Sequence, residues 1–293
     1  MDEDTANKPR SSQGKAFKQF KKNKLAVAGL IMIIIIMLLG IFAPLLALSD
    51  PIIPQLEHKL EPGFWAGNFI NPFGTDELGR DVYSRLIYGT RISLKVGYIV
   101  IAITAVLGTL LGIISAYYGK LADLLLMRVT DIFLSFPPLL LVLAVVAVLG
   151  TGLEKAMLAI SIIYVPQMAR IVRSSVLTVK ELPYIEASRA LGAKDRTIIF
   201  GHILPNVLAP TVVYLTLLLA DAILYTAALG FLGVGIDPST PEWGAMLSSG
   251  RNYLLLGDWW VTLFPGLMII LSVLSFNLFG DGLREALDPK MEE

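Results

Sequence analysis

The sequence predicts an all-α, polytopic membrane protein with six transmembrane helices, on three observations. Its 293 residues are 55% hydrophobic and only 16% charged, with mean hydropathy +0.69; a soluble domain carries about a quarter charged residues. The apolar residues gather in runs close to the ~20 needed to cross a bilayer core. Lysine and arginine sit where successive crossings would put one side of the membrane: seven lie between Lys8 and Lys24 and six between Arg170 and Arg196. The larger segment between the first two apolar runs, followed as far as Leu94, has only Lys59, Arg80, Arg85 and Arg91. That bias puts both termini in the cytoplasm.

Composition excludes several functions. The net charge is zero, so nothing points to nucleic acid. There is no cysteine, which removes disulfides, thiolate metal sites and cysteine nucleophiles. Two histidines, His58 and His202, far apart in sequence, give no metal-ligand spacing. No paired catalytic groups fall at matching depth in the spans, which argues against an intramembrane enzyme.

Residues 1–24 form a basic cytoplasmic tail without a signal-peptide cleavage pattern. Phe17 and Phe20, three apart among lysines, fit a short helix on the inner membrane surface; a solvated tail fits equally. The first span is 25–48, stopped by Ser49-Asp50-Pro51 and Pro54. Residues 49–95 are expected outside, with Thr75 capping an amphipathic surface helix and Asp76 and Glu77 in its first turn. Taken alone, Thr75-Asp76-Glu77 and Arg80-Asp81 also hold the groups of an acid–base or metal site. The rest of the membrane core is 96–282.

The second span, 96–118, carries Gly108 and Gly112, a pair that lets helices approach closely. The third, from about 124 to 149, is interrupted by Phe136-Pro137-Pro138. Two prolines remove two backbone donors and should kink it, and freed carbonyls at that depth need protein or a cavity beside them. Pro137 and Pro138 are therefore candidate pathway-lining residues, with a plain packing kink as the alternative. The fourth span, about 156–171, is expected to break at Pro166. The fifth, 207–232, holds Asp221 at mid-depth, where an ionisable group is by default functional. Trp243, Tyr253, Trp259 and Trp260 fit an interfacial aromatic belt or, more sharply, an aromatic substrate site. The sixth span is 261–279, and 283–293 is a second cytoplasmic tail.

Tyr184–Asn206 is the longest polar interruption in the second half of the chain. Pro183 can start one short helix and Gly192 end it. A second begins near Lys194-Asp195-Arg196, with Ile198, Ile199 and Ile203 on its apolar face. Pro205 then stands where a new membrane helix can begin. Two short helices between spans are a docking surface for a soluble partner.

Glu186-Ala187-Ser188, Gly192 and Leu204-Pro205 resemble the E-A-A-x₃-G-x₉-I-x-L-P loop of bacterial ABC importer permeases. Ser188 replaces the second alanine and His202 the isoleucine; His-x-Leu-Pro-Asn is similar to the variant of the dipeptide/oligopeptide (peptide/nickel) branch. The run FGTDELGRDV…SRLIYGTRISL from Phe73, PSTPEWG from Pro238 and NLFGDGLREALDP from Asn277 resemble further signatures of that branch. AALGFLGVG from Ala227 does too, with Thr226 where the branch often has Glu and Gly230 where it has Ser. The resemblance implies a type I ABC importer permease fold with a coupling loop at 183–205. In it Glu186, Ala187, Ser188, Gly192, His202, Leu204 and Pro205 would meet an ATPase. It also implies a heterodimer with a second permease, two nucleotide-binding subunits, an extracytoplasmic solute-binding protein and a peptide substrate. Nickel is the alternative cargo. A channel or scaffold, the alternative of a different class, needs no ATPase dock. The chain has no G-x-x-x-x-G-K-[ST], so ATP and Mg are expected on the partners and no cofactor on this chain.

Overall fold

The computed structural model describes residues 12–287; residues 1–11 of the basic tail and 288–293 of the C-terminal tail lie outside the described residues. The described chain is helical, without a strand: α1 (Ser12–Lys22), α2 (Lys24–Ile41), α3 (Ala43–Leu46), α4 (Val82–Tyr118), α5 (Lys120–Leu134), α6 (Pro138–Leu149), α7 (Leu153–Lys180), α8 (Pro183–Ala190), α9 (Asp195–Ile198), α10 (Leu204–Phe231), α11 (Trp243–Gly250) and α12 (Trp260–Leu287). Five helical stretches are long and apolar enough to cross a membrane: α2, α4, α7, α9 running into α10, and α12. The pair α5 and α6 makes a sixth if it is one span, bent by 94°.

Small residues set the central packing. α4 lies along α7, and an added Cβ at Gly108 would come within 2.5 Å of Met168 Cβ, one at Gly112 within 2.6 Å of the Ala169 carbonyl. The two glycines are thus a contact face and not merely tolerated in the span. α10 packs between α4, α7 and α12, and contributes to three apolar cores, one of them under the 183–206 segment.

Three expectations about prolines and caps change. Pro166 does not break the fourth span; α7 runs through it with Pro166 buried, because one lost hydrogen bond is tolerated where neighbouring helices hold the backbone. Pro137-Pro138 does more than kink. Pro137 is extended (ψ 127°) and Pro138 opens α6, since a residue before proline is driven out of the α region. Both prolines are exposed. Thr75 caps no helix. It is buried, donating to the His58 carbonyl at 2.5 Å and accepting from Glu61 N–H at 2.8 Å. Asp81 is the cap instead, accepting from Ser84 N–H at 2.8 Å and Ser84 Oγ at 2.6 Å. The helix it starts is 37 residues long and continues without a break into the second span, so the expected surface helix is that span's first turns.

The segment 50–81 and the 236–259 connection form a lobe at one end. Arg80 Nε meets Asp76 Oδ2 at 2.7 Å and Arg85 Nε reaches the same oxygen at 3.4 Å, all three side chains buried. Arg85 also donates to the Pro51 carbonyl at 2.6 Å. These charges are paired internally, which favours a structural role over acid–base or metal chemistry. Trp243 is buried in the core and donates to the Leu86 carbonyl at 3.1 Å, so it is not part of an interfacial belt; its indole N–H has an interior partner. Trp260 is likewise buried, donating to the Thr75 carbonyl at 3.0 Å, while Trp65 packs on Trp259 at 4.7 Å. Glu242 caps α11, accepting from Ala245 N–H at 2.9 Å. It is fully buried against Gly230, where a Cβ would collide with its carboxylate. Burial pushes its carboxyl up to about 7.

Candidate functional site

At the opposite end, the 183–206 segment is built on three isoleucines. Ile185 of α8, Ile198 of α9 and Ile203 are fully buried with Val172 and Val176 of α7. Pro183 occupies the first turn of α8, where a missing N–H is harmless. The helix stops in a Schellman motif: Gly192 N–H bonds to the Arg189 carbonyl at 3.0 Å and Ala193 N–H to the Ser188 carbonyl at 3.1 Å. Gly192 has φ +84°, with open space where a Cβ would be. The expected left-handed turn is there.

Beyond this turn the backbone departs from expectation. Pro205 stands in the first turn of α10, as expected, but α10 is not separate, because α9 runs through a π segment, Ile199–Ile203, directly into it. Leu204 N–H bonds five residues back to the Ile199 carbonyl. The wider turn accommodates Pro205, which has no N–H to give and whose ring would press on the carbonyl four residues earlier. His202 lies inside that segment, half-buried, its ring edge-on to Tyr184 at 6.0 Å. A movement at α9 therefore reaches the membrane helix through continuous helical backbone.

The segment is also fastened sideways. Tyr117, at the end of α4, donates to Asp195 Oδ1 at 2.7 Å, and Arg189 lies over the Tyr117 ring at 5.7 Å. Lys180 donates to the Ala116 carbonyl at 2.8 Å. Arg173 of α7 makes a two-pronged pair with Asp123 of α5, at 2.5 and 2.6 Å. Asn206 bridges the His202 carbonyl at 2.6 Å and Tyr184 Oη at 3.1 Å. Of these, Tyr117, Asp123 and Asn206 carried no sequence signal as fasteners; Arg173 was legible only as a positive charge.

The outer surface is unfinished. Leu191 is 89% exposed and Phe200 62%, with Tyr184, Glu186 and Ala187 also exposed. Ser188 and Leu204 are half-buried and Pro205 exposed. The structure thus brings Glu186, Ala187, Ser188 and Gly192 together on α8 and its cap, and places His202 in the π segment and Leu204 and Pro205 in the first turn of α10. Pro137, Pro138 and Asp221 lie elsewhere. Asp221 is exposed midway along α10, without an ion-pair partner among the described residues. Thr226 is buried and bonded back to the Ala222 carbonyl at 2.7 Å.

Residues 108–293 match the family described as binding-protein-dependent transport system inner membrane component. Residues 12–62 match the N-terminal TM domain of oligopeptide transport permease C. The chain is 50% identical over 277 residues to a dipeptide transport system permease protein of Alkalihalophilus pseudofirmus, covering 94% of this chain and 90% of that one. It is 45% identical over 276 residues to one of Haemophilus influenzae, covering 94% and 93%. A solved inward-facing structure of the MetNI methionine ABC transporter shares its fold, with TM-score 0.55 and 24% identity over 70% of this chain and 97% of that one.

Proposed function

The chain belongs to the family of binding-protein-dependent transport system inner membrane components, and on that premise we propose that it is one of two permeases of an ATP-driven importer of dipeptides or oligopeptides. Its relatives' names supply the cargo. The observation that carries the mechanism is the 183–206 segment: a rigid turn and a buried isoleucine base presenting exposed Tyr184, Leu191 and Phe200. Apolar groups held outward on a fixed frame fit insertion into a partner. That partner is a nucleotide-binding subunit, which carries ATP and Mg.

The lysine and arginine bias puts this segment and both termini in the cytoplasm, and the lobe outside, where a solute-binding protein delivers its load. ATP binding moves the docked segment, and the continuous α9–α10 backbone and the Arg173–Asp123 pair carry that movement into the bundle. A second, homologous permease completes the pathway, with the Pro137-Pro138 bend and Asp221 of this chain on its wall. The test is reconstitution with the partner permease, both ATPases and the binding protein. Labelled dialanine should accumulate in proteoliposomes only with ATP and binding protein. Accumulation without ATP, or none while another solute is taken up, would refute this reading.

A further inference from the structure

Tyr214, Leu217, Asp221 and Tyr225 recur three to four residues apart, so they share one face of α10. Gln167 and Tyr164, three apart on α7, meet that face. Tyr214 Oη donates to Gln167 Oε1 at 3.1 Å, and the Tyr164 ring stands edge-on to Tyr225 at 6.0 Å. Tyr164 is only 2% exposed, and its hydroxyl has no hydrogen-bond partner among the described residues. The same face continues toward the 183–206 end as a groove of about 680 Å³. Ile171, Asn206, Pro210, Tyr214, Leu217 and Arg284 line it. Leu217 is one helical turn from Asp221, so the carboxylate lies just beyond the groove's deep end.

We propose that Asp221, one helical turn from Tyr225 and from the Leu217 end of the groove, is a mid-membrane subsite for the terminal ammonium group of the peptide in transit. The inference rests on the reading of the chain as a peptide permease and names what one end of the cargo meets there. A lone exposed carboxylate in a span is retained against its insertion cost. It attracts a cation, and a charge-assisted hydrogen bond to an ammonium is among the stronger polar contacts. The Tyr225 ring, one turn away on the same face, adds a surface that favours a cation further. The donor set suits an ammonium better than a divalent ion. One carboxylate with a phenol one turn away lacks the several carboxylate or imidazole ligands that hold a metal. A single charge contact also suits transit, since a site on a pathway must release what it binds.

The full transporter in proteoliposomes, fed labelled dialanine through its binding protein, tests this. Asp221→Asn should lower uptake about tenfold, as expected for one lost charged contact, with assembly and binding-protein-stimulated ATP hydrolysis unchanged. Asp221→Glu should restore most of the uptake. Wild-type uptake by the Asn variant would overturn the subsite and leave the peptide reading intact. So would loss of the second permease or of stimulated hydrolysis, either of which makes Asp221 an assembly or coupling residue. A wild-type transporter that takes up no dialanine refutes the peptide reading and the subsite with it.

Discussion

The lobe at 50–81 and the segment at 183–206 are both irregular, polar and short of secondary structure, yet they are finished to different degrees. The lobe closes on itself. Asp76 is shared by buried Arg80 and Arg85, Asp81 and Ser84 lock the start of α4, and Trp260 reaches back to Thr75. The 183–206 segment is closed only on its inner side, over Ile185, Ile198 and Ile203, and its outer side leaves large apolar groups in the open. Buried charges paired within the chain are the mark of a scaffold, and outward apolar groups on a turn the mark of an interface. Substitutions should therefore act on stability in the lobe and on assembly in the segment.

The largest effect should come from the lobe's ion network. Asp76→Ala leaves buried Arg85 without a carboxylate and Arg80 with only Glu77 at 3.3 Å, a loss of about 3–5 kcal/mol for a broken buried pair. The purified permease should unfold at markedly lower temperature or fail to accumulate. A melting point within a degree or two of wild type would show that the lobe is not the scaffold. Next is the pH response of Glu242. Its folded-state pKa lies near 7, above its ordinary 4.5, so its contribution is full below the unfolded value and is lost as pH rises through about 7. Wild type should lose a few degrees of thermal stability between about pH 5 and 8 relative to Glu242→Gln. Parallel pH curves would place the carboxyl in water.

Pro137→Ala with Pro138→Ala restores two donors at the 94° bend. The complex should be at least as stable while transporting more slowly. Lower stability with normal turnover would assign the bend to packing alone. Smallest in stability is Leu191→Ser. The side chain is 89% exposed, so the change should stay within about 0.5 kcal/mol, yet ATPase retention should fall. Equal retention would remove the contrast between the two regions.

The two regions also differ in how much of each the sequence disclosed. The spans were legible because their apolar runs are local. The Gly192 turn was too, since a Schellman cap is written in about six consecutive residues. The lobe was hidden because its partners are remote: Trp260 bonds to Thr75, 185 positions away, and Arg85 to Ser239, 154 away. Thr75 is a credible cap in one dimension, and its burial between His58 and Glu61 is what passes that role to Asp81. Prolines misled for a related reason. Pro166 is held in a continuous helix by α4 packing just beyond it, whereas tandem Pro137-Pro138 forces an extended residue whatever surrounds it. Tyr117, which pins Asp195 from the end of another helix, carries no pattern of its own.

The most direct test of the proposed coupling is ATPase retention by Gly192→Val and Glu186→Lys permeases purified with their partners. Gly192 sits at φ +84° with nothing near its would-be Cβ. A Cβ there meets nothing within 4 Å, so valine acts chiefly by straining the turn, at about 1–2 kcal/mol. The expected result is a permease that stays folded in the membrane while the ATPases are lost, or while hydrolysis stops responding to loaded binding protein. Stoichiometric ATPase with normal stimulated hydrolysis in both variants would contradict it, and the 183–206 segment would not be the coupling element.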